Sequence, residues 1–181
     1  MIDFKTISIR GRIAYGIMCA ESYALAKYPD CDWKPLFQAL WGISRDDVYW
    51  DEWASDVIDM LPEMVLSDDP RDYGDTDPEV LDQCRVLYQG MSEAFNGILS
   101  GIVDIEETDA YTVVEGYGAA ALESLRDAID AMQAEGVELP DPRTAADDGS
   151  MRPTLSEQRR AVARAALVRQ KSLREILLER C

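Results

Sequence analysis

Histidine is absent from this chain of 181 residues. Its absence removes Ser-His-Asp and Cys-His nucleophilic schemes, the commonest general base and almost all ordinary zinc sites. A Gly-rich phosphate loop is lacking too: Gly116-Tyr117-Gly118 is not followed by Lys-Ser or Lys-Thr. The carboxylate-rich stretch from Asp68 to Asp82 lacks the central Gly and the terminal Glu of an EF-hand in register. No apolar run approaches the roughly 20 residues that span a bilayer, and Met1-Ile2-Asp3-Phe4-Lys5 opens no signal peptide. Cysteine is sparse. Cys19, Cys31, Cys84 and Cys181 show no C-x-x-C spacing, and three of them sit among apolar neighbours, as reduced thiols do. These absences point to the cytoplasm, to no membrane partner and to no cofactor. Cys181 at the terminus reads as incidental rather than reactive.

What is present is a core and a great deal of negative charge. Hydrophobic residues make up 47% of the chain, which rules out a disordered acidic tail. Lys and Arg number 18 against 35 Asp and Glu, a net charge of −17. The charge is uneven. Residues 151–181 hold eight basic and three acidic residues, a net +5, which leaves −22 on the first 150. A body of that sign repels nucleic acid and anionic membrane and steers in a basic partner.

The periodicity predicts an all-α protein, a single-domain helical bundle of about six helices. The first covers residues 8–28, with Ile9, Ile13, Ile17, Ala20 and Ala24 on one stripe. Asp32 is expected to cap a short helix with Pro35 in its first turn and Leu36, Phe37, Leu40 and Trp41 inward, and Gly42 to end it. Ser44 caps a third, which buries Trp50, Trp53, Val57 and Leu61 and stops or bends at Pro62. Residues 67–77 read as a polar loop. Asp77-Pro78 opens a long helix through Val80, Cys84, Leu87, Met91, Phe95, Ile98 and Ile102. An acidic turn over 104–109 leads to a helix with Val114, Tyr117, Ala121, Leu125, Ala128 and Met132, closed by Gly136. Gly97 and Gly101, one turn apart, suit a close antiparallel helix pair. The organisation expected is an acidic core over 1–137, a linker over 138–153 and a basic helix over 154–181 packed on the core. That last helix opens on a Thr154-Leu155-Ser156-Glu157 capping box.

One catalytic scheme survives without histidine. Glu52, Asp56, Asp59 and Glu63 fall at i, i+4, i+7 and i+11, a face on which all-helical nucleotide hydrolases hold magnesium. It requires a second acidic helix opposite, for which Glu123, Asp127 and Asp130 are the candidates. The simpler reading makes those acids the solvated face of an amphipathic helix, and the chain a non-enzyme with no metal. The aromatic stripe Trp33, Trp41, Trp50 and Trp53 reads as core, with one or two members reaching an interface.

From Asp46 to Asp82 there are 14 acidic residues and one basic residue, Arg71. A rigid part comprises Asp46, Asp47, Asp51, Glu52, Asp56 and Asp59. A looser part comprises Asp68, Asp69, Asp72, Asp75 and Asp77. Tyr49 and Tyr73 are candidate anchors within it. Such a surface suits capture of a cationic protein cleft, with charge raising the on-rate and the anchors supplying affinity. Against that stands neutralisation from within, by Arg160, Arg164, Lys171 and Arg174.

The stretch Ile13-Ala14-Tyr15-Gly16-Ile17-Met18-Cys19, then Trp33 to Trp41, then Tyr49-Trp50-Asp51-Glu52-Trp53 resembles the small helical immunity proteins of bacterial polymorphic-toxin and contact-dependent growth inhibition systems. The likeness spans roughly the first 65 residues and rests on aromatic and small-residue placement. It implies a cytoplasmic antidote that binds and blocks one cognate protein toxin. The basic C-terminal helix departs from that pattern. The alternatives are a helical adaptor or oligomer subunit, which leaves a homodimer open, and the magnesium-dependent hydrolase.

Overall fold

In the computed structural model the described residues are 3–44, 50–67, 76–110 and 118–144. The chain divides into two compact units, Met1–Ala146 and Asp147–Cys181. All described residues belong to the first, so the helix expected over 154–181 and its packing lie outside them. Seven α-helices and no strand make up the described residues.

Helix α1, Ile9–Lys27, begins where Ser8 accepts a hydrogen bond from the Gly11 amide at 3.1 Å. It is buried on more than the one stripe expected: Tyr15, Cys19 and Tyr23 are as enclosed as Ile13 and Ile17. The bundle forms around it. Helix α2, Lys34–Leu40, packs against its C-terminal end. Trp33, not Asp32, occupies the cap position of α2, and Asp32 instead accepts from the Lys34 amide at 3.1 Å. Gly42 does not end the chain's winding; a 3-10 turn over Trp41–Ser44 carries through it.

Helix α3, Trp50–Asp59, and the single turn α4, Pro62–Val65, replace the one helix expected to stop or bend at Pro62. Helix α3 does stop just before Pro62, and Leu61 is extended, as the residue before a proline tends to be. Pro62 itself sits at the start of α4, where its missing N–H costs no bond. Helix α5, Pro78–Tyr88, starts as expected, with Asp77 accepting from the Glu79 amide at 2.9 Å.

The long repeat from Val80 to Ile102 is broken. Helix α6, Glu93–Ala110, is separate from α5, because Gly90 turns the chain at φ +85°. Ser92 then starts α6. Its hydroxyl accepts from the Phe95 amide and pairs with the Tyr23 hydroxyl at 2.8 Å, while its own amide donates to the Tyr28 hydroxyl at 2.9 Å. The acidic turn expected over 104–109 is instead the last part of α6.

Helix α7, Ala119–Ala134, lies along α6 and α1. A Cβ on Gly101 would stand 3.5 Å from the Ser124 carbonyl, an ordinary van der Waals contact, so α7 lies close there without demanding glycine, whereas Gly97 faces open space. Val114 and Tyr117, expected on this helix, lie outside the described residues. The helix closes at Gly136, whose amide bonds back to Gln133 while Val137 bonds to Met132. Beyond it the chain does not leave the body at once. Val137 is buried, and the Tyr15 hydroxyl donates to the Pro140 carbonyl at 3.0 Å.

Inside, Tyr23, Tyr28, Trp33, Phe37 and Phe95 form one aromatic cluster. Phe95 stacks on Tyr23 and meets Trp33 edge-on, with ring centroids 5.2 Å apart in both pairs. Such pairs add about 0.5–1.5 kcal/mol each beyond the area they bury. The cluster joins α1, α2 and α6 and so fixes the platform on which α3 rests.

Candidate protein-binding surface

Helix α3 has one apolar and one acidic side. Trp53 and Val57 are buried, as is Leu61 just beyond the helix. The Trp53 indole donates to the carbonyls of Ala39 and Leu40, both at 3.1 Å, and its ring comes to rest over Gly42. These contacts satisfy carbonyls at the end of α2 and fix α3 to it. Rotation of the helix would cost that indole its partners, so the opposite face is held in a defined direction.

On that face Glu52 and Asp56 are exposed. Neither makes a hydrogen bond or an ion pair among the described residues. Asp59 is half-buried and accepts from the Thr76 hydroxyl at 3.1 Å, which ties the end of α3 to the residue before the Asp77 cap. Asp51 belongs to α3, and its side chain lies outside the described set. Asp46, Asp47 and Tyr49, like Asp68, Asp69, Asp72 and Tyr73, lie outside the described residues. The structure therefore brings together three of the expected residues, Glu52, Asp56 and Asp59.

The four carboxylates expected on a single helical face do not share a helix. Glu63 is on α4, beyond the turn at Met60 and Leu61, and accepts from the Ser100 hydroxyl of α6 at 2.9 Å. Glu123, Asp127 and Asp130 are exposed on α7, which packs on α6 and α1. Among the described residues no group of three His, Cys, Asp or Glu side chains is placed to hold a metal ion.

Of the aromatic stripe, three side chains are described and that of Trp50 lies outside the described set. Trp33 and Trp53 are core; Trp41 is half-buried and donates its indole N–H to Glu21 at 2.9 Å. Glu21 itself went unread in the sequence. Burial holds its carboxyl above the ordinary carboxylate range, and the Trp41 hydrogen bond opposes that shift. Arg12 was missed as well. It is 1% exposed inside α1, and its guanidinium donates to the Phe4 and Gly118 carbonyls at 3.1 and 2.7 Å. The available signal was weak: Arg12 falls beside the Ile13 and Ile17 stripe, but exposed Arg10 stands two residues before it. Both hold the fold together: Arg12 through the Phe4 and Gly118 carbonyls, Glu21 through Trp41.

Burial also raises two thiols and two tyrosine hydroxyls. Burial lifts the Cys19 thiol to about 12 and the Cys84 thiol to about 11, which keeps both out of thiolate chemistry. The Tyr88 hydroxyl, raised mainly by burial, donates to the Met60 carbonyl at 2.7 Å and secures the turn between α3 and α4.

Fold and surface together define an all-α bundle with a rigidly mounted acidic helix. No helix among the described residues is long and apolar enough to cross a membrane. No family model matches the chain, and no curated protein and no solved structure matches it.

Proposed function

We propose that the protein is a non-catalytic, immunity-type inhibitor that acts in the cytoplasm. It holds a basic, nuclease-like toxin by the acidic face of α3 and blocks the toxin's active cleft. The observation that carries this reading is the pair Glu52 and Asp56, exposed, without a hydrogen bond or ion pair among the described residues, on a helix immobilised by Trp53. Carboxylates on a fixed helix present their field without first giving up side-chain partners, which suits fast capture of a cationic cleft. The likeness of the first 65 or so residues to immunity proteins supports the same reading and rests on those residues alone.

The test is affinity capture from the native host at about 0.1 M and about 0.5 M salt. One basic partner, a toxin, held more weakly at the higher salt, is the expected result. Reversing charge together at Asp51, Glu52 and Asp56 should then slow association with that toxin by about tenfold or more while thermal unfolding is unchanged. Recovery of only the protein itself, or an unaltered association rate in the triple variant, would overturn the proposal.

A further inference from the structure

An open groove of about 540 Å³ runs between the turn after α1 and the outer face of α5. Cys31 and Asp32 line one side, and Asp82, Gln83, Val86 and Leu87 the other. Val86 is 69% exposed, the most exposed large hydrophobic side chain among the described residues. It contributes little to holding α5 in place, since Leu81, Cys84 and Tyr88 on the opposite face are buried in the core. Leu87 is half-buried and gives the groove a floor.

The rim is acidic. Asp32 and Asp82 line it and are exposed, on either side of the apolar Val86 and Leu87. Asp82 is steered by Arg85 at 2.7 Å, yet its side chain stays 74% exposed. The chain as a whole carries a net −17. The groove lies open to solvent along its length and gathers few polar groups at one point. A small molecule would remain wet on one side there, whereas a helix could lay a row of side chains along it.

We infer that this groove docks a basic amphipathic helix of a partner protein. One aliphatic side chain of that helix sits on Val86 and Leu87, and its Lys or Arg residues face Asp32 and Asp82. The inference goes beyond the toxin reading, because a partner of an adaptor would meet the same surface.

The probe is a fluorescein-labelled synthetic peptide with Leu on one helical face and Lys on the other, titrated into the full chain and followed by anisotropy. Val86→Asp separates docking from general charge attraction, since it removes the apolar contact and adds a negative charge. Docking predicts binding weakened about tenfold, with Val86→Ala intermediate. Amide shifts should concentrate at Cys31, Val86 and Leu87. Equal or tighter binding by Val86→Asp, or shifts confined to residues 52–59, overturns the inference. So does a concentration-dependent dimer that Val86→Asp abolishes, because the occupant is then a second copy. As Val86 is exposed, an unchanged circular dichroism melt serves as the folding control. The toxin reading is tested separately, by the α3 charge reversals.

Discussion

Arg12 and Glu21 are the two charged side chains that α1 carries into the interior, and they are handled differently. The planar fork of Arg12 satisfies two carbonyls far apart in the sequence, Phe4 and Gly118. Glu21 has a single indole donor, so its burial favours the protonated form. Its carboxyl titrates higher in the folded protein than in the unfolded chain, where it lies near 4.5. The folded state therefore binds this proton more tightly. Its contribution to stability is fully present below the unfolded value and is lost as pH rises through the folded one. Glu21→Gln keeps an oxygen for Trp41 and has no charge to bury. Urea unfolding at about pH 4 and about pH 7 should show the variant gaining on the wild type as pH rises. A difference between the two proteins that is the same at both pH values would mean that ionisation of Glu21 is not felt by the fold.

Helix ends were easier to read than helix breaks, and two glycines show what each depends on. Gly97 is exposed in mid-α6 with nothing within 4 Å of an added Cβ. Gly97→Ala should stabilise the protein by about 0.5–1 kcal/mol, since only the unfolded chain's freedom is lost. Gly118 precedes α7 at φ +66°, and a Cβ there would meet Ile9 at 3.0 Å and Arg12 at 3.1 Å. Gly118→Ala should cost about 1–3 kcal/mol. Chemical denaturation of the two variants checks both signs. The starts at Ser8 and Asp77 and the close at Gly136 were legible because each is a local bond between neighbours in sequence. The α5–α6 break was not, because Leu87, Met91 and Phe95 keep helical spacing across it. Gly90 and Ser92 carried the signal, but what makes Ser92 a helix start is its contact with Tyr23 and Tyr28, distant in sequence. The acidic surface was legible in the same partial way. Composition marked the stretch and periodicity gave α3 its two faces, but counting by turns could not foresee that Pro62 begins a new helix and takes Glu63 with it.

With 35 acidic residues against 18 basic ones, folding draws like charges together. Among the described residues the ion pairs Lys27–Glu135, Arg85–Asp82 and Arg143–Asp141 are at the surface and contribute little each. Screening should therefore help the folded state more than it harms such pairs. The melting temperature is expected to rise between about 0.01 and about 0.2 M sodium chloride, as scanning calorimetry can check. A fall over that range would show that attractive pairs outweigh the net repulsion. The contact between Arg12 and Gly118 has a different consequence. It joins residues 106 positions apart, and α1 finds its companions α6 and α7 only when they exist. At roughly 5–20 residues per second, a ribosome needs on the order of ten seconds to supply them. During that interval Ile13, Ile17, Tyr23 and their neighbours lack the α6 and α7 side of their core. The newborn chain is thus expected to complete this bundle only after α7 is made, and until then to expose apolar segments that need shielding.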